Sequence, residues 1–192
     1  PIPPGACAIH HITAAMVAGA PQLETVLPEY QSAEVVYVAH NAAFDSAFLP
    51  TLNGPWLCTY RLARHLLADA PGYGNQVLRY WLELEQLPEW TAGLMAHRAL
   101  YDVATTALLL QTMLPRLAEL DESPQTVDEL LAFARRPIPE QRVRFGKHCG
   151  ERYEDGPTDY LQWMLRTDSW GEDVAFTVRH HLSQRGEVQD RA

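Results

Sequence analysis

Two short stretches hold the side chains that could do chemistry. The first is His40-Asn41-Ala42-Ala43-Phe44-Asp45, preceded by Val35, Val36, Tyr37 and Val38. That β-branched and aromatic run predicts a short buried strand. From Ala42 the spacing turns helical through Leu49, and Asn41 fits a helix N-cap. Asp45 then lies one turn into a helix at the carboxyl end of a strand, where open α/β sheets hold their ligands. A capped helix bearing a solvated Asp accounts for the same residues equally well.

The second stretch is His97-Arg98-Ala99-Leu100-Tyr101-Asp102, which runs into the apolar segment Val103 to Leu110. A carboxylate just inside an apolar helix must be compensated, because burying it unpaired costs several kcal/mol. A bound cation is one solution. His97 is five residues before Asp102, too far round to share its helical face, and so belongs to the loop entering the helix.

Composition narrows the classes. The chain has 192 residues and a net charge of −9, which argues against coating nucleic acid through a broad basic surface. A local grip on one strand end stays open. No apolar run reaches the roughly 18 residues of a membrane span, and PIPPGACAIHH lacks the charged and apolar regions of a secretory signal. Cys7, Cys58 and Cys149 are scattered, without CxxC spacing, and read as reduced thiols of a cytoplasmic protein. There is no GxSxG, P-loop, GxGxxG or HExxH.

The elements that must position these groups follow from the pattern. Helices are expected over Gln22–Gln31, 42–49, 61–67, 75–87 (capped by Asn75), 99–117 and 125–135, with a strand at 56–60. From Asp121 the texture changes. Pro137 and Pro139 form a stiff link, Arg142 to Gly150 reads as a strand and glycine turn, and helices follow at 159–165 and 174–182. The domain expectation is 1–120, a helical linker at 121–139 and a small module at 140–192. Residues 133–152 hold six Arg/Lys against two Glu, a net +4 island that suits phosphate contact. Tyr153, Tyr160 and Trp163 could stack on bases. Pairing of these arginines with acidic residues, and a small aromatic core, explain the same features as well.

HNAAFD and HRALYD, in this order and some fifty residues apart, resemble the second and third motifs of the DEDD exonucleases, in the branch whose third motif carries a His. IPPGACAIHHIT resembles the loop and helix after that family's third strand, with His11 where Gly is usual. FGKHCG followed by DYLQWML resembles the small C-terminal module of exodeoxyribonuclease X-like proteins. The resemblance implies an α/β, RNase H-like exonuclease fold, a mixed sheet with helices, joined to a small C-terminal α+β module. It implies a metal-dependent 3′→5′ exonuclease that hydrolyses DNA phosphodiester bonds in DNA repair. Asp102 and Asp45 would be metal ligands and His97 the general base. His40, Asn41 and Phe44 would contact substrate at the strand end, with Arg142, Arg144 and Lys147 on phosphates. The implied cofactor is Mg²⁺ or Mn²⁺, two ions per site when the first motif is present. The implied partner is single-stranded or 3′-ended DNA, with RNA as the other substrate class and no membrane.

The family's first motif, Asp-x-Glu on the first strand, does not occur in these residues, and neither do the first three strands. The expectation is therefore a half-built sheet and a chain inactive as numbered. A fragment or mis-started frame, a natural remnant, or completion by a partner chain would each explain it. From another class, a non-catalytic nucleic-acid-binding or assembly module fits the same residues.

Overall fold

Prolines set the first elements in the computed structural model, which describes residues 1–32, 34–84, 89–167 and 170–186. Pro4 opens α1 (Pro4–His10), where its fixed φ and missing N–H are harmless. α1 ends in His11 at φ 57°, whose N–H bonds Cys7 O at 2.8 Å. That left-handed position explains why glycine is the residue expected there. α2 (Leu23–Val26) passes into a 3₁₀ turn over Leu27–Tyr30, where Pro28 interrupts the longer helix expected from the sequence.

β1 (Tyr37–Ala39), α3 (Ala42–Phe48) and β2 (Trp56–Cys58) form one parallel βαβ unit, with Tyr37 opposite Trp56 and Ala39 opposite Cys58. Gly54 allows the return, since a Cβ there would lie 2.7 Å from the Tyr37 ring. The buried strand expected from Val35 starts two residues later and is not buried: Val35 is 40% and Val38 39% exposed. Among the described residues β1 pairs with β2 alone, so its other edge has no backbone partner.

Four helices cover the opposite side: α4 (Thr59–Leu66), α5 (Asn75–Trp81), α6 (Ala99–Ala118) and α7 (Val127–Arg135). α6 packs on α4 and α5, and α7 packs on α4 and β2. Leu57, Leu62, Leu78, Leu109, Met113 and Leu131 are core residues of this layer. A capping box starts α7: Thr126 Oγ1 accepts from Glu129 N and Glu129 Oε2 accepts from Thr126 N, both at 3.2 Å. Part of the segment expected as a linker is therefore packed helix, and the chain divides into compact units at Pro1–Arg135 and Arg136–Ala192.

In the second unit Arg142 and Arg152 form an antiparallel bridge around the Phe145–Gly150 turn, a hairpin reduced to one rung in place of the expected strand. α8 (Thr158–Thr167) and α9 (Glu172–Gln184) pack on each other, and their core holds Val143, Tyr153, Leu161, Met164, Val178 and Leu182. Arg185 ties the unit together through the carbonyls of Tyr153, Glu154 and Gly156. The result is an α/β fold with a two-stranded parallel sheet and a small second unit.

Candidate functional site

The strand-to-helix turn after β1 brings the His40–Asp45 stretch into place. Asn41 adopts φ 76°, ψ 54°, a left-handed conformation that Asn tolerates. In that conformation its side chain makes no cap hydrogen bond, contrary to the cap expected from the sequence; its carbonyl instead accepts from Phe44 N at 2.9 Å. Phe44 is 61% exposed and packs against the Phe48 ring at 4.9 Å.

His40 ties the strand end to the loop before α5. Its Nε2 lies 2.7 Å from Tyr73 O and its Nδ1 3.0 Å from Thr59 Oγ1. A carbonyl only accepts, so Nε2 carries the proton and Nδ1 accepts from the threonine hydroxyl. Both nitrogens are thus committed within the fold. Burial, outweighing the Tyr73 carbonyl and the Asp45 charge, pushes the His40 pKa below its ordinary value and keeps the ring neutral. Burial also pushes the Asp45 carboxyl up, against the opposing pull of its own backbone N–H and of His40.

The His97–Asp102 stretch is held by α5. His97 sits on the loop entering α6 at φ 67°, and its N–H donates to Asp102 Oδ1 at 3.3 Å. Gln76 Nε2 approaches the same oxygen at 3.4 Å. Asn75 Nδ2 donates to Asp102 O and to Thr106 Oγ1, both at 3.2 Å. Asp102 is half-buried in the first turn of α6, where the positive end of the helix dipole favours an anion. Compensation for this carboxylate therefore comes from N–H donors and a helix terminus. Asn75 was expected as an N-cap; Gly74 takes that position, and the Asn75 amide spans α5 and α6 instead.

Asp45, His97 and Asp102 line one cavity of about 990 Å³, together with His40, Phe44, Asn75, Gln76 and Thr106. Leu27, Tyr37, Val38 and Trp56 form much of its apolar wall, so it follows the exposed flank of β1. Asn41 is exposed and outside this wall, and Arg142, Arg144 and Lys147 belong to the second unit. Arg144 pairs with Glu140 at 2.7 Å, and Arg142 donates to Gly150 O at 2.8 Å. The sequence singles out neither Gln76 nor Thr106 and marks Asn75 only as a cap; of the three, Thr106 alone lies in the same helix as Asp102.

The donor set suits a hard cation. Two carboxylates face a wide space, and Mg²⁺ is commonly held by one or two carboxylates plus substrate phosphates. Asn75 Oδ1 is also buried without a partner. No group of three or more His, Cys, Asp or Glu side chains able to hold an ion occurs among the described residues. No helix among them is long and apolar enough to cross a membrane.

A βαβ unit with an acidic cavity at the carboxyl end of its strand defines a ligand-binding α/β domain. The comparisons specify which. The exonuclease family model matches residues 1–110. Over 189 residues the chain is 39% identical to Exodeoxyribonuclease 10 of Escherichia coli (strain K12), spanning 95% of this chain and 80% of that protein. A DNA polymerase III PolC-type of Staphylococcus aureus is 32% identical over 124 residues, 57% of this chain and 8% of that one. Among solved structures, exonuclease X in complex with 5′ overhanging duplex DNA is 42% identical with a TM-score of 0.58, covering 70% of this chain and 75% of that one. The chain belongs to the DEDD exonuclease family, with the RNase H-like α/β fold.

Proposed function

We propose that this chain is a metal-dependent 3′→5′ exonuclease of DNA, with Asp45, His97 and Asp102 as its reactive groups. The observation that carries the reading is their meeting in one cavity although 57 residues of chain separate Asp45 from Asp102. The DNA bound by the solved relative supports the substrate class.

Asp45 and Asp102 would hold Mg²⁺ or Mn²⁺, which when bound supplies an activated water and charge neutralisation at the leaving oxygen. His97, exposed on its loop, would serve as the general base. Its backbone N–H, bonded to Asp102 Oδ1, keeps base and carboxylate in register. Phe44 offers an exposed ring for the terminal base. His40 orients the strand end through Thr59 and Tyr73.

Chemistry with two ions asks for more carboxylates than these two. No Asp-x-Glu pair occurs in the 192 residues, so their turnover alone is expected to be slight while binding persists. The second reading, a binding module without catalysis, draws on the lack of any three-ligand cluster among the described residues. A nuclease assay on 5′- and 3′-labelled single strands with Mn²⁺ separates the two. The proposal expects slow loss of 3′ label that disappears in Asp102→Ala and in His97→Ala. Cleavage from the 5′ end, or cleavage that survives Asp102→Ala, would refute it.

A further inference from the structure

The second unit has a groove of its own, and the observations there point to a ligand. Five rings form a continuous run: Phe145 stacks on Trp170 at 4.0 Å, Trp170 meets Trp163 at 5.7 Å, Trp163 meets Tyr160 at 5.4 Å, and Tyr160 meets His148 at 4.4 Å. A small aromatic core would bury such rings. Phe145, Tyr160 and Trp170 pack against this unit's buried core of Val143, Tyr153, Leu161 and Met164, but Trp163, at the middle of the run, is 41% exposed. Trp163, Tyr160 and His148 instead line a cavity of about 420 Å³, edged by Lys147, Asp159 and Arg166.

The two cations are placed as a pair around the open ring. Arg166 follows Trp163 by three residues on α8, so both occupy one helix face. Lys147 comes from the Phe145–Gly150 turn. Gly146 brings that turn onto α8: it has φ +71°, and a Cβ there would sit 2.9 Å from the Tyr160 hydroxyl. Neither Lys147 nor Arg166 forms an ion pair with a described residue, whereas Arg144 and Arg152 are committed to Glu140 and Glu154. By net charge this unit repels a polyanion less than the first does. Residues 136–192 carry nine Lys/Arg against ten Asp/Glu, and residues 1–135 carry six against fourteen.

We infer that this groove binds a single-stranded nucleic-acid segment, stacking a base on Trp163 with the flanking phosphates on Lys147 and Arg166. An exposed indole between two cations matches the alternation of flat base and anionic linkage along a strand. Asp159 at the rim limits the contact to a short stretch and disfavours an acidic peptide lying along the groove. The ligand class rests on the proposed function; the groove itself does not require the chain to cut. Such a foothold assigns to Lys147 and Arg166 the phosphate contacts expected of Arg142 and Arg144.

The test is fluorescence anisotropy of the 192-residue chain with labelled oligo-dT in EDTA, so that binding is read without metal or cleavage. Trp163→Ala is expected to weaken binding roughly 5- to 100-fold, with Trp163→Phe staying within about threefold of the native chain. The double variant Lys147→Ala/Arg166→Ala is expected to lower the slope of log affinity against log salt by about 1.4, or 0.7 per phosphate on a single strand. Lys147 is also the only lysine, so bound oligonucleotide should protect one internal amine from acetylation, read by mass spectrometry. Unchanged affinity in Trp163→Ala together with an unchanged slope in the double variant overturns the inference, as does no measurable binding by the native chain. Asp102→Ala keeps the two proposals apart, because it should abolish cleavage and leave this binding intact.

Discussion

Removing the Asn75 amide tests whether α5 is what holds Asp102 in place. Asn75→Ala deletes two donors at once, the 3.2 Å bonds to Asp102 O and Thr106 Oγ1. Thr106 can rotate its hydroxyl, but the half-buried Asp102 carbonyl cannot replace its partner. At a net of about 1 kcal/mol per hydrogen bond, the loss should be about 2 kcal/mol. For a chain of this length that corresponds to a melting temperature lower by roughly 4–8 °C. The first turn of α6 also gains freedom, so any cleavage should fall further than stability alone explains. Urea unfolding measures the first effect, and a nuclease assay well below the melting temperature measures the second. A variant that melts within 1 °C of the native chain and cuts equally well would refute the assigned role. Asn75→Asp sharpens the comparison: it keeps the shape but sets a carboxylate oxygen against the same carbonyl, and should be worse than alanine at neutral pH.

Three further outcomes follow from local geometry. His11→Gly relieves a left-handed residue, which costs about 1–2 kcal/mol, against an entropic penalty of about 0.5–1 kcal/mol for glycine. Since α1 buries nothing, the net gain should appear as slower hydrogen exchange at the C-terminus of α1 while the global melting temperature barely moves. Tyr153→Phe removes a hydroxyl that is buried with no partner and should stabilise by about 1 kcal/mol in urea titrations. Burial first, then the charge of Glu140, pushes the Tyr153 pKa up to about 12, so the native fold favours its neutral form. That contribution is complete below pH 10 and lost as pH rises through about 12, and the Phe variant should lack this alkaline loss. Asp45→Asn should raise thermal stability at pH 7, because the fold disfavours the ionised carboxyl there. The gain should shrink as pH falls and vanish below 3.8, where Asp45 is neutral in both states, and a constant gain would contradict the assignment.

The two motif stretches and the family they resemble are legible in the sequence, while much of the geometry is not. α6 was readable almost to the residue, because an apolar stripe of this length leaves little choice of element. β1 was misread as buried, since a β-branched run signals strand but does not say how many neighbours the strand has. Asn41 and Asn75 were both read as caps from residue type. One is left-handed with an idle side chain, and the other bonds across to the next helix. Such choices depend on what lies opposite in space. The C-terminal basic island was visible as charge, but which cations remain available was decided by Glu140 and Glu154, each within a few residues of its arginine.

Asp45 and Asp102 are proposed to hold a divalent cation between them. Electron paramagnetic resonance of Mn²⁺ titrated into the 192-residue chain tests it directly, without requiring turnover. Saturable loss of the free-ion signal is expected, abolished in Asp102→Ala and weakened in Asp45→Ala. Equal Mn²⁺ binding in the native chain and in both variants would contradict it.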